Sequence, residues 1–197
     1  MKKILSIDVG ILNLGYVYCH ISDYGISVED CDKIDITIMR HSRVPFCDCK
    51  IQHDNCFPDY LEHFFQEYLE MFNDADVILV ERQPITGITN VQDLILNKFR
   101  NKVNLVSPNK IHKYFNMSKD YSKRKIQSES IAEKYLFSNT NYINLIRKHD
   151  IADAMLLVIH YYSNDYLGNM KTMKTMKTMK TQNILDLEQF RFNIQNT

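Results

Sequence analysis

Glycine is scarce in this 197-residue sequence, with only Gly10, Gly15, Gly25, Gly87 and Gly168. Glycine-rich turns that cradle nucleotide phosphates need several such residues close together, so a phosphate-loop ATPase is disfavoured from the outset. Long apolar runs are missing too. None approaches the roughly 20 residues that span a bilayer, and no membrane association is expected. The opening MKKILSIDVG has the basic start of a secretion signal, but Asp8 and Gly10 interrupt its apolar stretch and it reads instead as a first β-strand. Cysteine is present in odd number, as Cys19, Cys31, Cys47, Cys49 and Cys56. Without a secretion signal this argues against a disulfide framework and for an intracellular, reducing compartment.

Net charge is also lacking, since 24 Lys and Arg balance 24 Asp and Glu. The balance hides a strong asymmetry. Residues 1–97 carry 7 basic against 16 acidic residues, residues 98–148 carry 12 against 3, and residues 149–197 carry 5 against 5. A basic middle third and an acidic first half suggest one face for a polyanion and another for cations or solvent. Apolar residues at 45% and charged residues at 24% are ordinary globular usage, and the length suits one domain.

Residues 3–9, KILSIDV, predict a short strand. GILNLGYVYCHIS and GISVEDCDKIDITIM continue as alternating strand, giving an antiparallel three-strand meander. Residues 59–72, DYLEHFFQEYLEMF, carry apolar side chains at helical spacing. VILV then returns to the sheet, followed by a helix in NVQDLILNKFR, a strand in KVNLVSP and a short helix from Asn109 to Phe115. A helix over 122–137 has Ser122 as its expected cap and Ile126, Ile131 and Leu136 on its stripe, and DIADAMLLVIHYY forms the last helix. The expected fold is α/β, a mixed five-stranded sheet flanked by helices. Its expected extent is residues 1–165, with a Cys/His-rich insertion at about 40–57. The exact triplet repeat MKTMKTMKTMKT reads as a low-complexity linker over 166–182, and 183–197 as a tail.

The segment VILVERQP raises the functional question, because an apolar run covered on both faces ends on Glu81. Open α/β sheets bind ligands at the carboxyl ends of their strands. Asp8 closes the first strand in the same way. In RKHDIADA, Asp150 and Asp153 stand three apart at a helix start and so share a face. Capping competes as an explanation for Asp150, whereas Asp153 leads into an apolar helix and is harder to dismiss. Four carboxylates gathered in one place would repel one another. Hard divalent cations such as Mg²⁺ resolve that conflict, and two of them clamp the attacking and leaving oxygens of a phosphodiester.

SIDVG, LVERQP, YSKRKIQS and RKHDIADA occur in the order found in RuvC-like Holliday junction resolvases, and the sequence most closely resembles the poxvirus type. The resemblance covers residues 3 to about 162. It implies a ribonuclease-H-like fold with Asp8, Glu81, Asp150 and Asp153 as ligands of two Mg²⁺ ions, Mn²⁺ substituting. It further implies a homodimer acting on branched DNA, nicking a four-way junction symmetrically during viral DNA recombination or replication-intermediate processing. Lys125 corresponds best to the family's lysine near the scissile phosphate, where it is expected to stabilise developing charge. Lys123, Arg124, Lys148 and Arg82 are the remaining candidate DNA contacts. A poxvirus-like life cycle implies the host cytoplasm, while the sequence itself leaves nucleus and cytoplasm open.

Cys47, Cys49, His53 and Cys56 fall within ten residues and are a candidate zinc set, although Cys-x-Cys is tighter than the usual spacing and free thiols are the simpler expectation. Tyr16, Tyr18, Tyr114, Tyr121 and Tyr142 are either packing residues or platforms for unpaired bases. Phe64, Phe65, Tyr68 and Phe72 read as core or dimer seam. Three other functions compete. Another ribonuclease-H-like nuclease, acting on an RNA/DNA hybrid or a flap, would use the same acids. A non-catalytic junction-binding protein would be expected to have lost at least one of them. An actin- or sugar-kinase-like ATPase is suggested by IDVGILNLG alone.

Overall fold

The computed structural model describes residues 1–37 and 57–168. The candidate zinc residues Cys47, Cys49, His53 and Cys56, the MKT repeat and the tail lie outside the described residues. Three antiparallel strands open the chain: β1 (Lys2–Asp8), β2 (Leu14–Ser22) and β3 (Gly25–Ile34). Gly25, at φ +140°, closes the tight β2–β3 connection in a backbone conformation that a side chain would strain. Helices α1 (Phe57–Glu67) and α2 (Leu69–Asp74) lead to β4 (Val77–Glu81), and α3 (Thr89–Lys98) leads to β5 (Val103–Val106). The sheet order is β3-β2-β1-β4-β5. β1 pairs antiparallel with β2 and parallel with β4, and β4 pairs parallel with β5. This is the mixed five-stranded sheet that the sequence pattern predicts.

Helices α4 (Pro108–Tyr114), α5 (Tyr121–Leu136), α6 (Thr140–Asn144) and α7 (His149–Tyr161) follow, and the first unit of the chain, Met1–His160, includes all of them but the last residue of α7. In the second unit, from Tyr161, a π-helical turn over Tyr162–Tyr166 stacks the rings of those two tyrosines 5.9 Å apart.

Side chains alternate between the two faces of a strand, and that alternation sorts the core. Leu5, Ile7, Ile78 and Val80 face the aromatic layer made by α1, α2 and α3. There Phe64, Phe65, Phe72 and Phe99 pack against one another, with Phe72 stacked on Phe99 at 4.6 Å. These phenylalanines are therefore core. Ile4, Ser6 and Leu79, of opposite parity, are fully buried on the other face, where the Ser6 hydroxyl donates to the Ala154 carbonyl of α7 at 2.7 Å. α7 is almost wholly apolar along its buried length, from Ile151 to Ile159. Among the described residues, no helix is long and apolar enough to cross a membrane.

Three local expectations need correction. The helix expected over 59–72 is divided at Tyr68, whose backbone leaves helical geometry at φ −105°, ψ 21° while its ring packs on Tyr16 at 5.3 Å. The cap of α5 is Asp120 rather than Ser122. Its carboxylate accepts from the Lys123 amide at 2.9 Å, and a carboxylate satisfies a first-turn N–H at least as well as a hydroxyl. The buried stripe of α5 is Ser128, Ala132 and Leu136, four apart, while Ile126 is 68% exposed.

Candidate active site

The strand register explains why two apolar strands end on acids. Ile4 pairs with Val77, Ser6 with Leu79 and Ile7 with Val80, so Asp8 and Glu81 come next, side by side on adjacent parallel strands. Both have the parity of Ser6 and Leu79 and therefore face α7. Asp153 stands on α7 one residue before Ala154, whose carbonyl is tied to Ser6. A cavity of about 200 Å³ is lined by Asp8, Glu81 and Asp153 together with Lys125, Arg124, Tyr121, His112 and Met117. Residues 145 positions apart in the chain are thus neighbours here.

The electrostatics are those of an acid cluster held short of charge. Burial pushes the Asp8 carboxyl well above its usual range, and the nearby Glu81 and Asp153 charges push it further. Burial also raises Glu81, while a proton donated from Asp8 favours its charged form. Each carboxyl therefore resists ionisation beside the other. Lys125 supplies the countercharge, with Nζ 2.5 Å from an Asp153 oxygen. Burial lowers the Lys125 pKa, but Asp153 and Asp8 outweigh this and leave it above its ordinary value, so the ammonium is charged.

Asp150 is placed differently. Its carboxylate is buried and bonded twice by Arg147, at 2.6 and 3.1 Å, and it does not line the cavity. In this arrangement Asp150 is held apart from the other three acids by a guanidinium three residues earlier, which satisfies both of its oxygens. Among the described residues no three Asp, Glu, His or Cys side chains converge as a ready-made metal cage. The acids remain suitable by chemistry, as hard oxygen donors whose mutual repulsion a divalent cation would relieve. Lys125 must leave Asp153 for all three to be available.

Other candidate residues sit around this cavity or away from it. Arg124 lines it, and its guanidinium lies 5.5 Å from the Tyr121 ring centroid, with Lys125 Nζ at 5.4 Å from the same ring. Lys123 and Arg82 are exposed. Lys148 lies over the Tyr142 ring at 5.2 Å. Of the tyrosines, Tyr16, Tyr18 and Tyr142 are buried packing residues, and Tyr114 and Tyr121 are 44% and 60% exposed.

Sequence reasoning missed four participants. His112 lines the cavity from α4, its pKa lowered mainly by burial. Gln83 donates to a Glu81 oxygen at 2.9 Å, and the Gln83 amide donates to the Gln92 side chain at 2.7 Å. Gln92 is buried in α3. Gly15 pairs with Asp8 across β1 and β2. The QP after Glu81 was a visible signal for the first glutamine; the others carry no local signature.

The shifted acids make a stability prediction. A carboxyl whose pKa is raised by folding keeps its proton in the native state after the unfolded chain has lost it, so native stability falls as pH rises above the ordinary carboxyl range near 4. Asp8→Asn removes that cost. In metal-free protein at pH 7 it is expected to gain about 1–2 kcal/mol, or roughly 2–4 °C in Tm per kcal/mol. Thermal melts should show the gain shrinking as pH is lowered toward 4. A variant less stable than wild type at pH 7 would contradict it.

A family model described as "Poxvirus A22 protein" matches residues 2–165. No individual curated protein sequence matches. Among solved structures, the fowlpox virus resolvase in complex with Holliday junction DNA superposes with a TM-score of 0.60 at 19% identity, covering 82% of this chain and 97% of that one. The yeast mitochondrial Holliday junction resolvase matches with a TM-score of 0.52 at 20% identity, over 82% of this chain and 84% of the other. Thermus thermophilus RuvC matches with a TM-score of 0.55 at 12% identity, over 84% and 96%. At these identities the structural likeness speaks for a shared fold.

Proposed function

Because the chain belongs to the poxvirus A22 protein family, we propose that it is a divalent-metal-dependent endonuclease that resolves four-way DNA junctions in viral recombination and replication-intermediate processing. The observation that carries this reading is the meeting of Asp8, Glu81 and Asp153 from β1, β4 and α7 in one cavity that also holds Lys125 and Arg124. A junction-binding protein without chemistry has no need of three acids gathered in one cavity, where burial and mutual repulsion work against their charged forms.

Asp8, Glu81 and Asp153 would hold the cations, Mg²⁺ or Mn²⁺, and Asp150 would join them only on exchange of Arg147. When bound, a pair of such ions polarises the phosphodiester and lowers the pKa of an attacking water. The chain's own contributions surround that chemistry. Gln83 orients Glu81, and Gln92 fixes Gln83 to the rigid frame of α3. Lys125, once released from Asp153, places a full positive charge where the phosphoryl oxygens gain negative charge. Arg124, Lys123, Arg82 and Lys148 bind backbone phosphates and set register, carrying no sequence information themselves. The two-fold four-way junction is matched by a homodimer, each subunit nicking one strand to leave paired 5′-phosphate and 3′-hydroxyl ends.

Cleavage of labelled four-way, three-way and linear DNA in Mg²⁺ or Mn²⁺ is the test. The expected result is paired nicks in the four-way junction at a rate at least tenfold above linear duplex, with junction affinity falling steeply as salt rises. Equal cutting of junction and linear duplex would reject junction selectivity and leave a general nuclease; preferential cutting of an RNA/DNA hybrid would favour the ribonuclease reading.

A further inference from the structure

The position of Asp153 depends on how closely α7 lies on the sheet, and two features outside the acid cluster set that distance. Gly15 is the β2 residue paired with Asp8. A Cβ built there would fall 2.3 Å from the Asp150 carbonyl oxygen and 2.9 Å from the Ile151 nitrogen, so the first turn of α7 lies directly on bare backbone. The φ of Gly15 is not positive, and the demand is for space rather than conformation. One turn further on, the fully buried Ser6 hydroxyl donates to the Ala154 carbonyl at 2.7 Å. Ser6 precedes Asp8 by two residues on the same face of β1. The glycine and the serine thus bracket Asp153, one holding the chain three residues before it and the other the residue after it.

We propose that Gly15 and Ser6 form a two-point seat for α7 whose role is to hold the Asp153 carboxylate at working distance from Asp8 and Glu81. They are positioning residues, acting through the helix and touching neither metal nor substrate. This rests on the functional reading above for what the acids do. The seat itself rests on the close approach and the hydrogen bond alone. An alanine methyl at position 15 must regain about 1 Å to reach ordinary contact with the Asp150 carbonyl, because contacts below 3.4 Å are tighter than nearly all real Cβ contacts. The carbonyl belongs to the helix backbone, so the whole first turn moves. A misplacement of about 1 Å far from the reacting atoms costs on the order of 10²-fold in rate.

The experiment compares wild type, Gly15→Ala, Ser6→Ala and Leu61→Ala. The last truncates a buried α1 residue in the aromatic layer and serves as a control for loss of stability alone. Three quantities are read: Mn²⁺ affinity by calorimetry on DNA-free protein, single-turnover junction cutting beside junction binding, and amide hydrogen exchange of metal-free protein. Gly15→Ala is expected to weaken Mn²⁺ binding at least tenfold and cutting about 10²-fold with junction binding unchanged, and to speed exchange selectively over residues 150–156. The milder Ser6→Ala should move the same three readouts in the same direction by a few-fold. Leu61→Ala should lower Tm without changing Mn²⁺ affinity. Wild-type Mn²⁺ affinity and α7 exchange in both Gly15→Ala and Ser6→Ala would overturn the seat, as would equal loss of Mn²⁺ affinity in Leu61→Ala. If wild type neither bound Mn²⁺ nor cut junctions, the functional reading would fall, and selective exchange over 150–156 would still decide the seat.

Discussion

Asp153→Asn is expected to lower junction cutting by about 10³-fold or more while leaving junction binding at wild-type strength. The substitution keeps the shape of the side chain and removes one unit of negative charge. Metal ions contribute several kcal/mol of charge stabilisation to such reactions, and each 1.4 kcal/mol is tenfold in rate, so loss of one of the three proposed ligands reaches this size. Binding should survive because the phosphate contacts proposed above fall to basic residues and not to the acids of the cavity. A neutral residue there also frees Lys125 from its 2.5 Å ion pair, which favours DNA binding if anything. Single-turnover cleavage of a labelled junction beside a gel-shift titration separates the two effects. Near-wild-type cutting by Asp153→Asn would remove the acid cluster from the chemistry and the proposed mechanism with it.

Lys125→Ala is the second large effect, expected at about 10²–10³-fold in cutting, the size seen when one preorganised charge-stabilising group is lost. Lys125 differs from the surface lysines in being largely enclosed, with 21% side-chain exposure, and in contacting an acid of the cluster. Lys123, exposed on the same helix, serves as the comparison. Lys123→Ala should weaken binding and reduce its salt dependence by about one phosphate contact with little change in the bound-state rate. If instead the two substitutions behaved alike, Lys125 would be another phosphate-tracking lysine. Because Lys125 neutralises Asp153 in the metal-free protein, Lys125→Ala also leaves an uncompensated carboxylate. It is therefore expected to lower stability near neutral pH, where Asp8→Asn raises it. Opposite shifts in Tm from residues lining one cavity would be a signature of the charge balance described above.

Much of the site was visible before folding. The run VILV in front of Glu81 reads as a covered strand, and strand alternation alone puts Glu81 on the face opposite Ile78 and Val80. The same argument applied to KILSIDV gives Asp8. Lys125 stood out within YSKRKIQS through the resemblance to the resolvase family, whose lysine near the scissile phosphate it matches best; the charge asymmetry marked the basic block but not the residue. What remained hidden has a common cause. His112, Gln92 and Gly15 reach the site from elements whose local sequence is ordinary, and Ser6 is one buried hydroxyl in a strand. Nothing in their neighbours distinguishes a cavity wall from any other packed surface.

The two aspartates of RKHDIADA mark the boundary most clearly. Sequence determines that they lie near one another on a helix, since three residues are close to one turn of 3.6. It does not determine where each points, because three residues also leave about 60° between them, enough to aim one at the cavity and the other at Arg147. The sequence by itself determined the strands, their acidic ends, the basic helix and the helix that brings a third acid. The tertiary structure alone decided which acids share the cavity, that Lys125 rather than Arg147 answers Asp153, and how closely α7 lies on Gly15. The physical reason is range: strand and helix periodicities are set by a few neighbouring residues, whereas the approach of α7 to β1 and β2 is fixed by packing between segments more than a hundred residues apart.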